Sequence, residues 1–286
     1  MPNLFQQLVD NSFENYVKFM VYRMFVDTAD DNYVAARWSY INDLSSDFHW
    51  LSLHALEKYF KAALLLNGKS SRGYRHNLIS LYSDFLNLHP DICIPEFKYP
   101  SWIYEDLLID KENVSEYLSS LNKYGSADNR YASAGYDIGL ESLHKVDHLI
   151  WHVRRHCCVF SERLIINGEI TEKTNLQHLI NNERETIYNG RLFDILKEET
   201  SERKSALLSS NFAFNPSANS PTHMRSAGTW GALRWVSLGL KDKHDPVKAE
   251  ASRKAIAWAR KNLSIGTEDR NFIAEQEKIA NQNSVS

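Results

Sequence analysis

The chain has 286 residues and a mass of 33.1 kDa, with 43% hydrophobic and 24% charged residues. This composition is typical of a globular protein with a sizeable core, and it excludes a wholly disordered chain. The formal net charge is −3, from 33 basic and 36 acidic residues, so any nucleic-acid binding must come from a local patch. The 11 glycines and seven prolines are few for this length, which favours helices over an all-β fold.

The sequence shows no targeting or membrane-spanning segment. The first residues lack a basic region followed by an apolar one, and the most apolar run, at 62–66, is far shorter than the 18 or so residues of a membrane span. The three cysteines, Cys93, Cys157 and Cys158, have no CxxC spacing and are typical of thiols in a reducing compartment. We therefore expect a cytoplasmic protein with no membrane partner.

Hydrophobic periodicity and capping signals predict helices along most of the chain. A capping-box-like start at 28–31 precedes a helix at 32–42, and a stronger helix at 47–67 ends at Gly68. Further helices are predicted at 78–88, 112–121, 132–158, 175–180 and, after Asp245 and Pro246, 247–262. Residues 19–26 are the one run compatible with a strand, and 209–229 is predicted to be a loop.

Three segments of the predicted helical region resemble the motifs of the HEPN family, in the same order. They are DNYVAAR at 31–37, LHALEKYFKAALL at 53–65 and RHNL at 75–78. The family has an AR on its first helix, a QAxEKxxKAxL second helix and an HxL opening the third. The resemblance covers about residues 28–158. It implies a four- or five-helix bundle, commonly a homodimer, that binds nucleotides or RNA.

The expected fold is therefore mainly α, with a HEPN-like bundle at 28–158. An amino-terminal segment, 1–27, precedes the bundle. A less regular, mostly helical extension of unknown family, 159–286, follows it. The basic helix at 248–261 is a candidate extension of a nucleic-acid footprint.

Many HEPN proteins are metal-independent ribonucleases of bacterial conflict and defence systems. In these enzymes an Arg and a His of an R-x4–6-H motif act together at the start of the last long helix. Arg130 stands at the expected place, but Gly135, Tyr136 and Asp137 occupy the positions of the His. Tyrosine, whose ordinary pKa is near 10, is a poor base. We therefore predict a fold without the usual catalytic pair and name Arg130 and Tyr136 as the candidate catalytic residues.

Two alternatives remain open beside a nucleotide- or RNA-binding module. One is a ribonuclease with a non-standard site, and the other is a non-catalytic structural subunit of a partner protein. No cofactor is expected. The expected partners are a nucleotide or RNA, a second copy of the chain, and another protein in the case of the structural subunit.

A polar stripe on the second predicted helix is a candidate ligand-binding surface. His54, Glu57 and Lys61 lie on one helical face, where Glu57 and Lys61 have the spacing of a favourable ion pair. The HxxE spacing of His54 and Glu57 is the reverse of the ExxH of four-helix carboxylate–metal proteins, so no metal centre is predicted there. The stripe is either a solvated set of salt bridges or the lining of a nucleotide or RNA groove.

The best local basic patch lies between the second and third predicted helices. Arg72, Arg75 and His76, with Lys69, are the candidate phosphate-binding residues. Backbone amides at the start of the third helix are further candidates for phosphate binding. The alternative is a solvated loop with no ligand.

Four histidines, His144, His148, His152 and His156, recur at every fourth position of one predicted helix. Each four-residue step overshoots a full turn by about 40°, so at most two neighbours can face one ion. We predict no metal site, and His144, His148 and His152 are the candidate ligands if one exists. The alternatives are a polar surface stripe and a dimer or ligand groove.

Overall fold

The computed structural model describes residues 13–99, 112–129, 135–166, 169–181, 190–215, 218, 227–263 and 265–283. These residues form mainly helices, which confirms the predicted mainly α bundle. In the first half the helices are α1 (Phe13–Val21), α2 (Asp27–Ile41), α3 (Ser45–Leu66), α4 (Leu78–Leu86), α5 (Val114–Tyr124) and α6 (Leu140–Arg155). In the second half they are α7 (Asn175–Ile180), α8 (Gly190–Lys197), α9 (Glu202–Leu208), α10 (Ala232–Leu238), α11 (Pro246–Asn262) and α12 (Thr267–Asn283).

Helix α3 lies at the centre of the bundle and packs against α2, α4, α5 and α6. Its side chains Leu56, Tyr59 and Phe60 are fully buried, because apolar residues recur at helical spacing around most of its circumference. Its observed limits lie within two residues of the predicted 47 and 67. Gly68, just beyond it, has a φ of +76°, the left-handed conformation that commonly ends a helix.

Residues 13–26 are helical, so the strand considered at 19–26 is wrong. Helix α1 continues through a π-helical turn, Tyr22–Val26, directly into α2. Val26 is buried, and the Tyr22 hydroxyl donates to the Cys157 carbonyl oxygen at 2.9 Å. The predicted capping start at 28–31 is also wrong. Thr28 lies inside the helix, where its hydroxyl donates to the Met24 carbonyl oxygen at 2.8 Å.

The predicted long helix at 132–158 is shorter than expected and follows a strand. Residues Gly135–Ile138 form β1, which pairs antiparallel with β4 (Ala227–Trp230), and α6 begins only at Leu140. Tyr136, opposite Thr229 in this register, is therefore a strand residue. Local periodicity could not reveal this strand, because its partner lies about ninety residues further along the chain.

The first part of the extension after the bundle packs onto the bundle core. A hairpin of β2 (Arg163–Ile166) and β3 (Glu169–Thr174) leads into α7, which confirms the helix predicted at 175–180. Leu179, Leu192 and Leu207, from α7, α8 and α9, belong to the same buried apolar cluster as the bundle core. The loop predicted at 209–229 is described only at 209–215, 218 and 227–229. Its last three residues belong to strand β4 and not to a loop.

The last helices pack together through α10, which contacts both α11 and α12. The Asp245 side chain accepts from the Lys248 backbone amide at 2.9 Å, and Pro246 is the first residue of α11, which confirms the predicted helix start. In the part of the chain that the structure describes, no helix combines the length and apolarity needed to cross a membrane.

Candidate functional site

Four polar side chains meet at Glu57 and are here called the Glu57 cluster: His54, Glu57, Lys61 and His76. Nδ1 of His54 and Nδ1 of His76 lie 3.2 Å and 2.9 Å from Oε2 of Glu57. The Lys61 ammonium donates to Oε1 of the same carboxylate at 2.5 Å and to the Arg75 carbonyl oxygen at 3.0 Å. Glu57 therefore accepts from three side chains that sequence analysis assigned to two separate patches.

Two chain segments position the cluster. His54, Glu57 and Lys61 lie on one face of α3 because residues three and four apart on a helix are neighbours. His76 comes from the segment between α3 and α4, next to the helix cap Asn77, whose side chain accepts from the Ser80 amide at 3.1 Å. The two histidine rings meet edge to face with their centroids 5.6 Å apart.

The carboxylate of Glu57 is buried, so the predicted solvated salt bridge is wrong for this residue. Its side chain is only 7% exposed, whereas that of His76 is 67% exposed. Burial by itself raises the pKa of Glu57, but hydrogen bonds from His54, Lys61 and His76 outweigh it and lower the pKa to about 2. Glu57 is therefore an anion held by three donors, one of which faces solvent.

The segment at 67–77, here called the basic loop, lies beside this cluster. Its cationic side chains Lys69, Arg72 and Arg75 are all exposed, and none forms an ion pair within the described part of the chain. The sequence has no acidic residue between Glu57 and Asp84, and the Asp84 carboxylate accepts from the Tyr74 hydroxyl at 2.7 Å without forming an ion pair with these cations. The structure thus brings the predicted basic patch and the polar stripe of α3 together through Lys61 and His76.

The start of α4 contributes less to this site than the sequence predicts. The Leu78 amide donates to the Asn122 side chain at 3.2 Å, and the Ser80 amide donates to the Asn77 side chain. Because both amides already have acceptors, the predicted phosphate binding by this helix start is wrong for Leu78 and Ser80. These two amides are therefore not available to an anion at the basic loop.

The histidines of α6 do not form a surface stripe. His144, His148 and His156 are buried, and Nε2 of His144 and of His148 donate to the carbonyl oxygens of Lys98 and Pro95 at 2.6 and 2.9 Å. Burial, followed by the neighbouring His148, lowers the pKa of His152 to about 3. The chain's own segment at 95–98 covers the stripe, so neither a solvated stripe nor a dimer groove at His144 and His148 is correct.

Of the two candidate catalytic residues, the structure describes only Tyr136, which is not part of the Glu57 cluster. Arg130 lies outside the described residues. Tyr136 packs against the ring of His49 with centroids 6.1 Å apart. His49 precedes Glu57 on α3 by about 12 Å along the helix axis. Tyr136 is thus in a different part of the bundle from the basic loop.

Sequence analysis missed His49, which is only 3% exposed. Neither of its ring nitrogens makes a hydrogen bond of ordinary geometry among the described residues, although the Asp137 backbone lies close enough to interact with the ring. Burial lowers the pKa of His49 to about 4, with the Asp137 backbone opposing the shift. Its position on the apolar side of the predicted helix, next to Phe48 and Leu53, was the available signal.

Comparison with known proteins adds no further identification, because no protein-family model, curated protein or solved structure matches the chain. The HEPN assignment therefore stays a prediction that depends on the three motifs.

Proposed function

We propose that this chain is a HEPN-like binding protein that takes a phosphate-bearing ligand, a nucleotide or RNA, at the basic loop. The observation that supports this most directly is the set of exposed cations Lys69, Arg72 and Arg75, which have no carboxylate partners in the described part of the chain. Exposed arginines of this kind bind phosphate oxygens through two parallel hydrogen bonds.

The Glu57 cluster supports the same proposal by fixing one edge of the loop. Lys61 bridges Glu57 and the Arg75 carbonyl oxygen, so the backbone that carries Arg75 is tied to the buried face of α3. Arg75 has a φ of +50°, a left-handed conformation that is uncommon for a residue with a side chain. A backbone held in this way presents the guanidinium to solvent with less conformational freedom to lose on binding.

The test is RNA and nucleotide binding by the full-length chain in the presence of a chelator. Fluorescence anisotropy with labelled single-stranded RNA is measured over a range of salt starting at about 50 mM, for the wild type and for Arg72→Ala/Arg75→Ala. The matched control is Arg270→Ala/Lys278→Ala, which removes two exposed cations from α12. Labelled ATP is measured in the same way.

We expect the wild type to bind, and the loop variant to bind more weakly with a salt slope lower by about 1.4, which is about 0.7 for each lost phosphate contact. The α12 control should retain the wild-type slope. Absence of binding by the wild type, or equal losses in both double variants, would contradict the proposal. Cleavage of the RNA in chelator would favour the ribonuclease alternative.

The homodimer, the partner protein and the cytoplasmic location stay predictions.

A further inference from the structure

We propose that His54, Glu57 and His76 form a binding site for a transition-metal dication of the Zn²⁺ class. Within the described residues this is the one group of three His, Cys, Asp or Glu side chains whose donor atoms all lie within 4.8 Å of one another. The proposal goes beyond phosphate binding, because it concerns the carboxylate and imidazoles rather than the exposed arginines.

Two of the three donor–donor distances match a tetrahedral ion, and the third, between the two imidazoles, is no longer than 4.8 Å. Zinc–nitrogen and zinc–oxygen distances of about 2.0–2.1 Å place any two ligands of a tetrahedral site about 3.3 Å apart. The Nδ1 atoms of His54 and His76 lie 3.2 Å and 2.9 Å from Oε2 of Glu57. Binding a dication requires the three ligands to rearrange around it, and the exposed His76 is the side chain with the most room to do so.

The chemistry of the ligand set favours zinc-like ions over Mg²⁺ or Ca²⁺. Two neutral imidazoles with one carboxylate suit Zn²⁺, Cu²⁺ or Ni²⁺, whereas Mg²⁺ and Ca²⁺ prefer oxygen ligands alone. Ligation requires both histidines to carry their proton on Nε2, so binding replaces the two Nδ1 hydrogen bonds to Glu57 and releases protons from any charged imidazole.

Lys61 also affects this site, because it binds the other oxygen of the Glu57 carboxylate. Its ammonium donates to Oε1, which leaves Oε2 as the atom available to the ion and fixes the carboxylate orientation. The same positive charge repels a dication, so we expect weaker binding than at a site without a lysine. Since His76 is 67% exposed, a fourth position is open to water or an anion on the solvent side.

The experiment titrates the tag-free, full-length chain with zinc chloride by calorimetry, in the absence of RNA. All variants carry Cys93→Ser, because Cys93 is an exposed free thiol that binds soft metals. The test variants are His76→Gln and Glu57→Gln. The matched control is His89→Gln, which removes another surface histidine paired with a carboxylate, Asp91, at 3.5 Å. Cobalt chloride serves as a spectroscopic probe of coordination geometry.

We expect one Zn²⁺ per chain, a cobalt spectrum of a four-coordinate ion, and at least about tenfold weaker binding in His76→Gln. His89→Gln should bind as the background protein does. Thermal unfolding of His76→Gln should shift only slightly, because the glutamine amide can still donate to the Glu57 carboxylate from the solvent side. Absence of saturable binding at one ion per chain, or equal affinity in His76→Gln and His89→Gln, overturns the proposal. Zinc binding is measured without RNA, and RNA binding is measured in chelator. The metal-site proposal and the phosphate-binding proposal can therefore be contradicted independently.

Discussion

Arg37 and Asp147 form an ion pair in which both side chains are fully buried, and this pair joins α2 to α6. Tyr33 donates to the same carboxylate at 2.7 Å, and Nε of Arg37 donates to the Ala206 carbonyl oxygen at 2.8 Å. Arg37 is the last residue of the first HEPN-like motif. In this structure it is a buried link between the bundle and the carboxyl end of α9, and it does not reach solvent.

Removing one partner of this buried ion pair is expected to destabilise the fold strongly. Asp147→Ala leaves the Arg37 charge buried without its carboxylate, so the free energy of unfolding should fall by about 3–5 kcal/mol in urea titrations. The control is Glu250→Ala, which removes an exposed partner of Arg253 and should change the stability little, because solvent screens the pair.

If Asp147→Ala does not fold, the double variant Arg37→Met/Asp147→Leu decides the question. It removes both charges and replaces them with apolar groups, so it should fold and be more stable than the single variant. Similar losses in Asp147→Ala and Glu250→Ala would show that the pair is not buried in solution.

A second prediction compares two adjacent aspartates of α2 that both contact the start of α8. Asp30 is fully buried and accepts from Nε of Arg154 at 2.8 Å and from the Leu192 amide at 3.0 Å. Asp31 pairs with Arg191 at 2.7 Å, but both side chains are 45% exposed. Asp30→Asn should therefore loosen α8, whereas Asp31→Asn should not.

The measurement is amide hydrogen exchange of the segment at 190–197 in both variants. We expect exchange to be faster by at least about tenfold in Asp30→Asn, which corresponds to about 1.4 kcal/mol of local stability. The Asp31→Asn variant should exchange at nearly the wild-type rate. Equal exchange in the two variants would show that Asp30 does not hold the start of α8.

Because His49 is buried, we expect the folded protein to lose stability in mild acid. Because burial lowers its pKa from 6.5 to about 4, the imidazole is neutral in both states above about pH 6.5. Between these values the unfolded chain binds a proton that the folded chain does not, so stability falls as the pH falls. At about 1.4 kcal/mol per pH unit, this residue accounts for a loss of about 2 kcal/mol by about pH 5.

Urea titrations at about pH 7 and about pH 5 measure the direction and the magnitude of this change in the free energy of unfolding. His49→Leu should lose less stability than the wild type between the two values, because it removes one of the groups that protonate only on unfolding. Part of the dependence should remain, since burial also lowers the pKa of His144 and His148.

Local patterns were sufficient to locate several helices. The limits of α3, the capped start of α11 and the short α7 all depend on interactions within a few residues, which a sequence displays directly. The shared face of His54, Glu57 and Lys61 is predictable for the same reason. In contrast, β1 was missed because its hydrogen bonds go to β4, far away in the chain.

For the candidate site, too, the sequence predicted the local contacts but not the long-range ones. Sequence spacing placed Glu57 beside Lys61, but it could not show that His76 approaches the same carboxylate across a turn of the chain. It also assigned the histidines of α6 to a surface, because periodicity identifies a polar face without identifying what covers it. The segment at 95–98, which accepts from His144 and His148, has no regular secondary structure and gives no local signal.

For this chain the sequence by itself determined a mainly helical fold, the faces of individual helices and the position of a basic loop. Only the tertiary structure decided which polar groups are buried and which partners they have, as in the pairing of Arg37 with Asp147, 110 residues apart. The physical reason is that helix formation depends on neighbours three and four positions away. The burial of a charge depends instead on whichever distant segments pack against it.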